Sequence, residues 1–434
     1  MAVFAIFAAL GLFLSSAHAQ NCTALTPFAP LKVSDGYTAQ VILNGLKAPR
    51  NIVLDTAGNL LVSEQGGAGI RRVVLTESDD GNVCVASSTQ LIPDSSLNHG
   101  LALSQDGKTI FVSNMASVSA YPYDAEAGTV GAKKTLIEGM RSGGHITRTL
   151  LIPSSAPDVL LVSRGSDGNI DNSTTDVAAG KSMIKTFNIS ELLASETATD
   201  YASGGEVLGW GLRNSVGVGE DPSTGGIWSV ENSADEIHRS DIDLHNDNPA
   251  EELNYHGIVK DAENPRKGVN FGYPACFSAW VPADIPSNSG ITIGSQFGGI
   301  DGTPFEQVTA RTSLEDVDEF CRTERQGPRL VFPAHTAPLD IKFKEDGSAA
   351  YVAFHGSWNR NPPDGYRLGK ITFANGQPVA NVTDTTAVEY VLQNEDTTKC
   401  PGACFRPVGL AFDKKGRLFL ASDQSGEIFV ITGA

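Results

Sequence analysis

The feature that most constrains the fold is a short sequence motif that recurs six times along the 434-residue chain. Each copy has a turn with Gly or Asp, then four or five apolar, strand-forming residues, and most end in a small polar residue. Two strands around a tight turn, repeated at roughly 50 to 70 residues, are typical of propeller blades. The copies begin at Ala57, Asp106, Pro157, Gly225, Asp346 and Lys415.

Six copies predict an all-β chain that folds as a six-bladed β-propeller, because a closed ring leaves no long exposed sheet edge. The 45 glycines and the scarcity of helical periodicity also favour one all-β body over two α/β units. The repeat lapses at about residues 240–330, which predicts an insertion between blades four and five. We therefore expect a single propeller domain over residues 20–434.

The first 19 residues form an apolar run that ends in Ala17-His18-Ala19, which is typical of a secretory signal and its cleavage site. The run is short for a membrane span, and no second apolar stretch follows it, so we expect no membrane association. Because the run begins without Lys or Arg, a buried N-terminal helix is the alternative. The pattern predicts a secreted, extracellular protein.

The six cysteines are even in number and show neither CxxC pairs nor zinc-ligand spacing, so we expect disulfides, which suit export. Of the fifteen connectivities, we favour Cys22–Cys84, Cys276–Cys321 and Cys400–Cys404. Glycosylation sequons, which are consistent with secretion, begin at Asn21, Asn172, Asn188 and Asn381.

The net charge of −18 argues against nucleic acid and against an anionic membrane surface as partners. Because the chain as a whole is acidic, local groups of Arg and His are informative about a functional site. They stand just before the predicted innermost strand of nearly every blade, so their side chains meet at one end of the central channel. The alternative is that these residues are only solvent-exposed charges on the rim of the propeller. These residues are Arg50, His99, His145, Arg213, His335 and Arg406, with Asn214 next to Arg213.

Converging cations repel each other unless an anion neutralises them, and guanidinium forks bind carboxylates. Arg50, Arg213 and Arg406 therefore predict a small ligand with several carboxylates. His145 is the best candidate for a general base, because imidazole titrates near neutrality and Gly143-Gly144 permit close approach to a ligand. A histidine that only supports the structure is the alternative.

A second polar series follows the strand of each repeat. In it, His355 to Arg360 combines imidazole, glycine, indole, amide and guanidinium groups. Trp358 either covers a planar ligand, with Arg360 at its carboxylate, or packs between blades. Glu231-Asn232-Ser233 offers oxygen donors that suit calcium better than zinc.

The aromatic residues in the predicted insertion at about residues 240–330 have two possible interpretations. Phe271, Tyr273 and Trp280 either form a wall that stacks on a sugar ring or belong to a small core stapled by Cys276–Cys321.

Three motifs in blade register resemble the soluble quinoprotein glucose/sorbosone dehydrogenases, and most of all the secreted fungal pyranose dehydrogenases that use pyrroloquinoline quinone (PQQ). The likeness runs from about Leu46 to Ile431. The motifs are Gly144-His145-Ile146-Thr147-Arg148, Trp210-Gly211-Leu212-Arg213-Asn214 and His355-Gly356-Ser357-Trp358-Asn359-Arg360.

The resemblance implies that a six-bladed propeller holds PQQ and Ca²⁺ over the channel and oxidises the anomeric hydroxyl of a sugar. It makes His145 the base and places Arg213 and Asn214 at the quinone. It also places Arg406 at a quinone carboxylate, with Asn232 and Ser233 as Ca²⁺ ligands through main-chain oxygens. His335 and His355 count as further cofactor contacts.

The chain departs from the family pattern in two places. Either Asn359 or Arg360 substitutes for a lysine of bacterial relatives, and Cys404 occupies the position of a second arginine.

The expected partners are a small sugar and an external electron acceptor, since neither a cytochrome segment nor a cellulose-binding module is evident. Copper enzymes that oxidise polysaccharides are an acceptor that the resemblance suggests. The alternatives are a calcium-dependent, lactonase-like propeller hydrolase and a non-catalytic propeller that binds a protein or glycan.

Overall fold

The computed structural model describes most of the chain. The predicted signal at residues 1–19 and the sequon at Asn21 lie outside the described residues, and nothing is described of the Glu306 and Val308 side chains. The described residues are Cys22, 25–78, 80–141 and 143–433.

Six sheets in a ring confirm the six-bladed β-propeller, and the first strands of neighbouring blades contact each other around the ring. Blade one contains Pro49–Leu54, Leu60–Glu64, Gly69–Glu77 and Val83–Ile92. Blade two contains Leu97–Leu103, Thr109–Asn114, Val118–Asp124 and Lys134–Glu138, with Thr129–Val130 and Thr199–Asp200 at its outer edge. Blade three contains Leu150–Leu151, Val159–Arg164, Met183–Asn188, Glu206–Trp210 and the parallel edge strand Val269–Asn270.

The second half of the ring uses strands from both ends of the chain. Blade four contains Ser215–Asp221, Gly226–Glu231, Glu251–Ile258 and Leu330–Phe332. Blade five contains Pro338–Phe343, Ala349–Phe354, Arg367–Ala374 and Val388–Asn394, edged by Gln377–Pro378 and Leu31–Val33. Blade six contains Pro407–Phe412, Leu418–Ser422, Glu427–Thr432 and the N-terminal strand Thr38–Leu43, which closes the ring.

The order of the strands determines where the polar residues lie. First and second strands are antiparallel in every blade, so the start of the first lies beside the end of the second. We call this end of the ring the mouth. Every residue that the sequence places before a first strand or after a second strand therefore lies at the mouth.

Short polar turns join the strands at the opposite end. In blade one, Asp55 Oδ1 accepts hydrogen bonds from the main-chain nitrogens of Ala57 and Asn59, at 3.0 and 2.8 Å. Gly58 takes a φ of +83°, which a side chain would disfavour. Apolar strand faces then pack between blades, as where fully buried Trp228 contacts Phe343 and Phe373.

The predicted insertion between blades four and five is not confirmed. Residues 251–258 and 330–332 fall within or at the end of that interval, and they are the third and fourth strands of blade four. The additional chain lies instead in two loops of that blade, at residues 232–250 and 259–329. The lapse in the repeat reflects these long loops rather than a segment between two complete blades.

The two long loops of blade four share a small core of their own. Tyr273 belongs to this core, whereas Phe271 packs between blades three and four. The two rings are only 3% and 2% exposed, so the predicted sugar-stacking wall is wrong for both of them. Buried Arg239 and Asp318 form a two-point ion pair there, at 2.8 and 3.1 Å. Other elements of the loops are the strand pairs His238–Arg239 with Ile242–Asp243 and Phe277–Ser278 with Gln296–Phe297, and the helices Pro282–Asp284, Phe305–Val308 and Leu314–Glu324.

All three predicted disulfides are confirmed: Cys22–Cys84, Cys276–Cys321 and Cys400–Cys404. Outside blade four, the described helices are short. None in the described part of the chain is both long and apolar enough to cross a bilayer. These helices are Asn172–Thr175, Val177–Ala179, Ile189–Ala194 and Thr397–Lys399.

Candidate active site

The ring of His145 is held at the mouth by Ser166 of the same blade. Its Nδ1 lies 3.0 Å from both the main-chain oxygen and Oγ of Ser166. A carbonyl oxygen only accepts, and Ser166 Oγ donates its own proton to Gly168 O at 2.6 Å. Nδ1 therefore carries the proton, and the lone pair of the neutral ring is on Nε2.

The surroundings keep this imidazole uncharged. Burial, reinforced by the positive charge of Arg213, lowers the pKa of His145 to about 4. The ring is therefore neutral at physiological pH and can accept a proton at Nε2.

The glycine before His145 allows a close approach within the protein itself. A Cβ at Gly144 would lie 2.3 Å from the main chain of Asp167, whereas one at Gly143 would meet nothing within 4 Å. In this structure, Gly144 therefore packs the loop against blade three, rather than leaving room for a ligand.

Arg213 is the centre of a hydrogen-bonded cluster beside His145. Its side chain donates four hydrogen bonds, two to Asn169, one to Asn232 O at 3.2 Å and one to Asp235 at 2.8 Å. Its main-chain oxygen accepts from Ser166 N at 2.9 Å, which links it to the residue that holds His145. Arg213 thus fixes three loops of blades three and four at once.

Two further predicted residues join this cluster through Asp235. His335 Nδ1 lies 3.5 Å from Asp235 Oδ1, and Asn359 Nδ2 donates to the same oxygen at 3.1 Å. Burial opposes protonation of His335, but the carboxylates of Asp235 and Glu251 outweigh it and raise the pKa of that histidine. Asn359 Oδ1 is buried and has no partner among the described residues.

A second cluster joins blades one, five and six. Asp423 accepts hydrogen bonds from Arg50 at 2.7 Å and His355 at 2.8 Å. Burial alone would raise the pKa of Asp423, but the neighbouring His355 and Arg50 hold it well below its usual value. Arg406 donates to the main-chain oxygens of His355 and Gly356, at 3.1 and 2.7 Å. The loop from His355 to Arg360 therefore contacts both clusters.

Trp358 and Arg360 lie on the outer side of that loop. Trp358 is 68% exposed, so the alternative that it packs between blades is wrong. Arg360 pairs with Asp247 at 2.9 Å and donates to Ala334 O at 3.2 Å. Of the two candidates for the family lysine, only Asn359 is joined to the Arg213 cluster by described contacts.

The arginines differ in how much they could offer to an anionic ligand. A guanidinium has five N–H donors. Arg50 uses one in a described hydrogen bond and Arg406 uses two, whereas Arg213 uses four. Arg50 Nε is also buried without a described partner. The donors of Arg50 and Arg406 therefore suit a ligand with carboxylates, while Arg213 has one N–H left.

The predicted calcium ligands fit in part. Asn232 O already accepts from the Arg213 cation at 3.2 Å, so this oxygen is poorly placed for a second cation. The Asn232 amide donates to Asn214 O at 3.4 Å and to Pro338 O at 2.9 Å. Ser233 donates its N–H to Glu251 at 2.7 Å, and its own oxygens take no part in a described hydrogen bond. The described residues contain no group of three or more His, Cys, Asp or Glu that could hold a metal ion.

Ser166, Asn169 and Asp235 orient His145 and Arg213, but none of them was predicted as a site residue. All three occupy loops without a repeated register, and their partners are far away in the sequence. Asp235 and Asn359 are 124 residues apart, for example. The only available signal was their position after the second strands of blades three and four.

Comparison with known proteins places the chain among related sequences and structures. The TrAA12-like family matches residues 31–434. A pyrroloquinoline quinone-dependent sugar dehydrogenase of Hypocrea jecorina (strain QM6a) is 44% identical over 441 residues, covering 99% of this chain and 97% of the relative.

Two solved structures resemble the fold closely. The calcium structure of Trichoderma reesei Carbohydrate-Active Enzymes Family AA12 has a TM-score of 0.87 and 43% identity, covering 96% of this chain and 100% of its own. The holo form of the PQQ domain of pyranose dehydrogenase from Coprinopsis cinerea has a TM-score of 0.85 and 35% identity, covering 94% and 99%.

Proposed function

Because this chain belongs to the TrAA12-like family, we propose that it is a PQQ-dependent sugar dehydrogenase that oxidises the anomeric hydroxyl of a pyranose. The observation that supports this best is the pairing of a neutral His145, with its lone pair on Nε2, and basic side chains at the same mouth. The first group suits proton removal, and the second suits a cofactor with carboxylates.

When bound, PQQ supplies the two-electron acceptor for the sugar, and Ca²⁺ polarises the quinone carbonyl. Arg50 and Arg406 would hold its carboxylates, since each has at least three N–H donors without a described acceptor. Arg213 would add one hydrogen bond and hold Asn169, Asn232 and Asp235 in place. Asn214, whose main-chain oxygen accepts from Asn232, would contact the quinone. Ser233 and Asn232 would hold Ca²⁺, with Asn232 using Oδ1 because its main-chain oxygen accepts from Arg213.

The protein groups then divide the remaining tasks. His145 takes the proton of the anomeric hydroxyl at Nε2, while Ser166 keeps the ring oriented through Nδ1. His335, His355 and Asn359 would complete the polar lining of the cofactor site. The exposed Trp358 would cover the face of the cofactor, with Arg360 near a carboxylate. Arg213, close to the ring, favours its neutral form before the reaction.

We further propose that the protein is secreted and that residues 20–434 form the mature propeller. Its three disulfides suit an oxidising compartment. Electrons would pass to an external acceptor, with polysaccharide-oxidising copper enzymes among the candidates.

Reconstitution tests the function directly. Purified protein is mixed with PQQ and Ca²⁺, and the reduction of a dye is followed with a panel of pyranoses. We expect sugar-dependent reduction that needs both additions. Lactone hydrolysis with Ca²⁺ alone would favour the hydrolase, and an absence of turnover with every sugar would favour a binding module.

A further inference from the structure

The inner strand of blade three is unusually short, and His145 lies just before it. The strand contains only Leu150–Leu151, whereas the first strands of the other five blades have six or seven residues. Residues 143–149 take no regular secondary structure. Something other than strand pairing must therefore hold the main chain that carries His145.

Side chains take over that task. Arg148 Nη1 donates to His145 O at 2.8 Å and to Thr147 O at 2.7 Å, and Nη2 donates to Met140 O at 2.6 Å. Asn98 of blade two donates to Ile146 O at 2.9 Å. The oxygens of three consecutive residues, beginning at His145, thus accept from side chains, two of them from Arg148.

The environment of Arg148 is unusual for an arginine. Its side chain is fully buried, and none of its described hydrogen bonds goes to a carboxylate. Burial, with Arg164 nearby, lowers its pKa to about 10, so the guanidinium is still charged at neutral pH. Burying a charge is costly unless it is well hydrogen-bonded, and here the described acceptors are main-chain oxygens of the His145 loop.

We propose that Arg148 is a positioning residue for the catalytic base: its guanidinium spans the loop from Met140 to His145 and fixes where the imidazole points. The main chain of His145 is then held at both ends, since its N–H donates to Ser166 O at 3.2 Å while its oxygen accepts from Arg148. Because Arg148 is fully buried, it would touch neither sugar nor cofactor. This inference rests on the proposed function, in which His145 is the base.

A matched control is available in the same blade. Lys185 is also a buried cation on main-chain oxygens, donating to Tyr201 O at 2.9 Å and Ala202 O at 3.0 Å. None of its described contacts involves the His145 loop. Lys185→Met therefore reports the effect of removing a buried cation from blade three without disturbing the loop.

The test combines Arg148→Met, Arg148→Lys and Lys185→Met. In the apo-protein, ¹⁵N NMR of the imidazole reports the tautomer of His145, assigned with His145→Ala. We expect one fixed Nδ1–H form in the wild type and in Lys185→Met, and mixed tautomers in both Arg148 variants. Lysine carries its three N–H donors on one nitrogen, so it does not reproduce the planar fork whose two nitrogens serve the three oxygens.

Steady-state kinetics of the reconstituted protein provide the second readout. We expect kcat to fall roughly 10- to 100-fold in both Arg148 variants, because small displacements of a base are costly. KM and the Kd for PQQ should stay within about threefold. Arg148→Lys, assayed well below its unfolding temperature, decides the question if Arg148→Met does not fold.

Failure of the positioning role and failure of the proposed function give different results. A fixed tautomer and a kcat within about twofold of the wild type in either folded Arg148 variant would overturn the positioning role. A comparable loss of kcat in Lys185→Met would also overturn it. A wild-type protein without sugar turnover would overturn the proposed function, while the NMR comparison would still test what Arg148 does to His145.

Discussion

His145 Nδ1 lies 3.0 Å from the main-chain oxygen of Ser166, and this contact fixes which imidazole nitrogen can act as a base. The carbonyl can only accept, so the proton stays on Nδ1 and Nε2 is left with its lone pair. Ser166 N in turn donates to Arg213 O at 2.9 Å. One residue therefore couples the candidate base to the arginine whose charge, after burial, helps to keep that base neutral.

Removing the imidazole should reduce the rate far more than cofactor binding. We expect His145→Ala to lower kcat by roughly 10²-fold or more, the range for a general base, while the Kd for PQQ changes little. His238→Ala is the control, because that ring is exposed and pairs with Asp243 outside the two mouth clusters. Unchanged turnover in His145→Ala would assign the base elsewhere, with His355 as the next candidate.

The protonation of His145 can be measured without turnover. Burial and Arg213 lower its pKa to about 4, so the ring should remain neutral as the pH falls to about 5 and take up a proton near pH 4. NMR titration of the imidazole in the apo-protein checks this. Arg213→Met removes a nearby positive charge and should raise the pKa. A His145 that titrates near its ordinary value of about 6.5 in the wild type would contradict the described burial.

Cofactor affinity should depend on Arg406. We expect Arg406→Ala to weaken PQQ binding by about 1.5–3 kcal/mol, the range for a hydrogen bond to a charged group. Arg417→Ala is the matched control, because Arg417 lies at the opposite end of the same blade and pairs with Asp413. Calorimetric titration of PQQ measures both variants. Equal affinities would place Arg406 outside the cofactor site.

The disulfide of the long blade-four loop should contribute to stability. Cys276 and Cys321 are 45 residues apart, and the bond joins the loop that contains Tyr273 to the helix Leu314–Glu324. Replacing both with Ser should lower the free energy of unfolding by about 2–4 kcal/mol. Denaturant unfolding measures this loss. No change would mean that the buried core around Phe297 and the Arg239–Asp318 pair holds the loop without the bond.

The repeated motif was sufficient to predict six blades. The position of each residue within the repeat was sufficient to predict that Arg50, His145, Arg213 and Arg406 lie at one end of the ring. The reason is that strand direction alternates regularly, so a fixed place in the repeat is a fixed place in the ring. The blade boundaries around residues 240–330 were harder to predict, because long loops in blade four separate its third and fourth strands from the rest of the repeat.

Hydrogen-bond partners could not be predicted in the same way. Asp235 contacts Arg213, His335 and Asn359 only because blades four and five converge at the mouth, and no spacing in the sequence predicts that. The burial of Phe271 and Tyr273 likewise depends on the fold of a loop without a repeat. Ser166 became recognisable only through its contact with His145 Nδ1.

The most direct test of the central claim, that basic side chains from different blades hold PQQ at one mouth, is an equilibrium titration of PQQ in the presence of Ca²⁺. Wild-type protein and the double variant Arg50→Ala/Arg406→Ala are compared at equal folded concentration. We predict saturable binding of one PQQ per chain in the wild type and a Kd at least about 100-fold higher in the double variant, since two charge-assisted contacts are lost. The same affinity in both proteins, or no saturable binding to the wild type, would contradict the account.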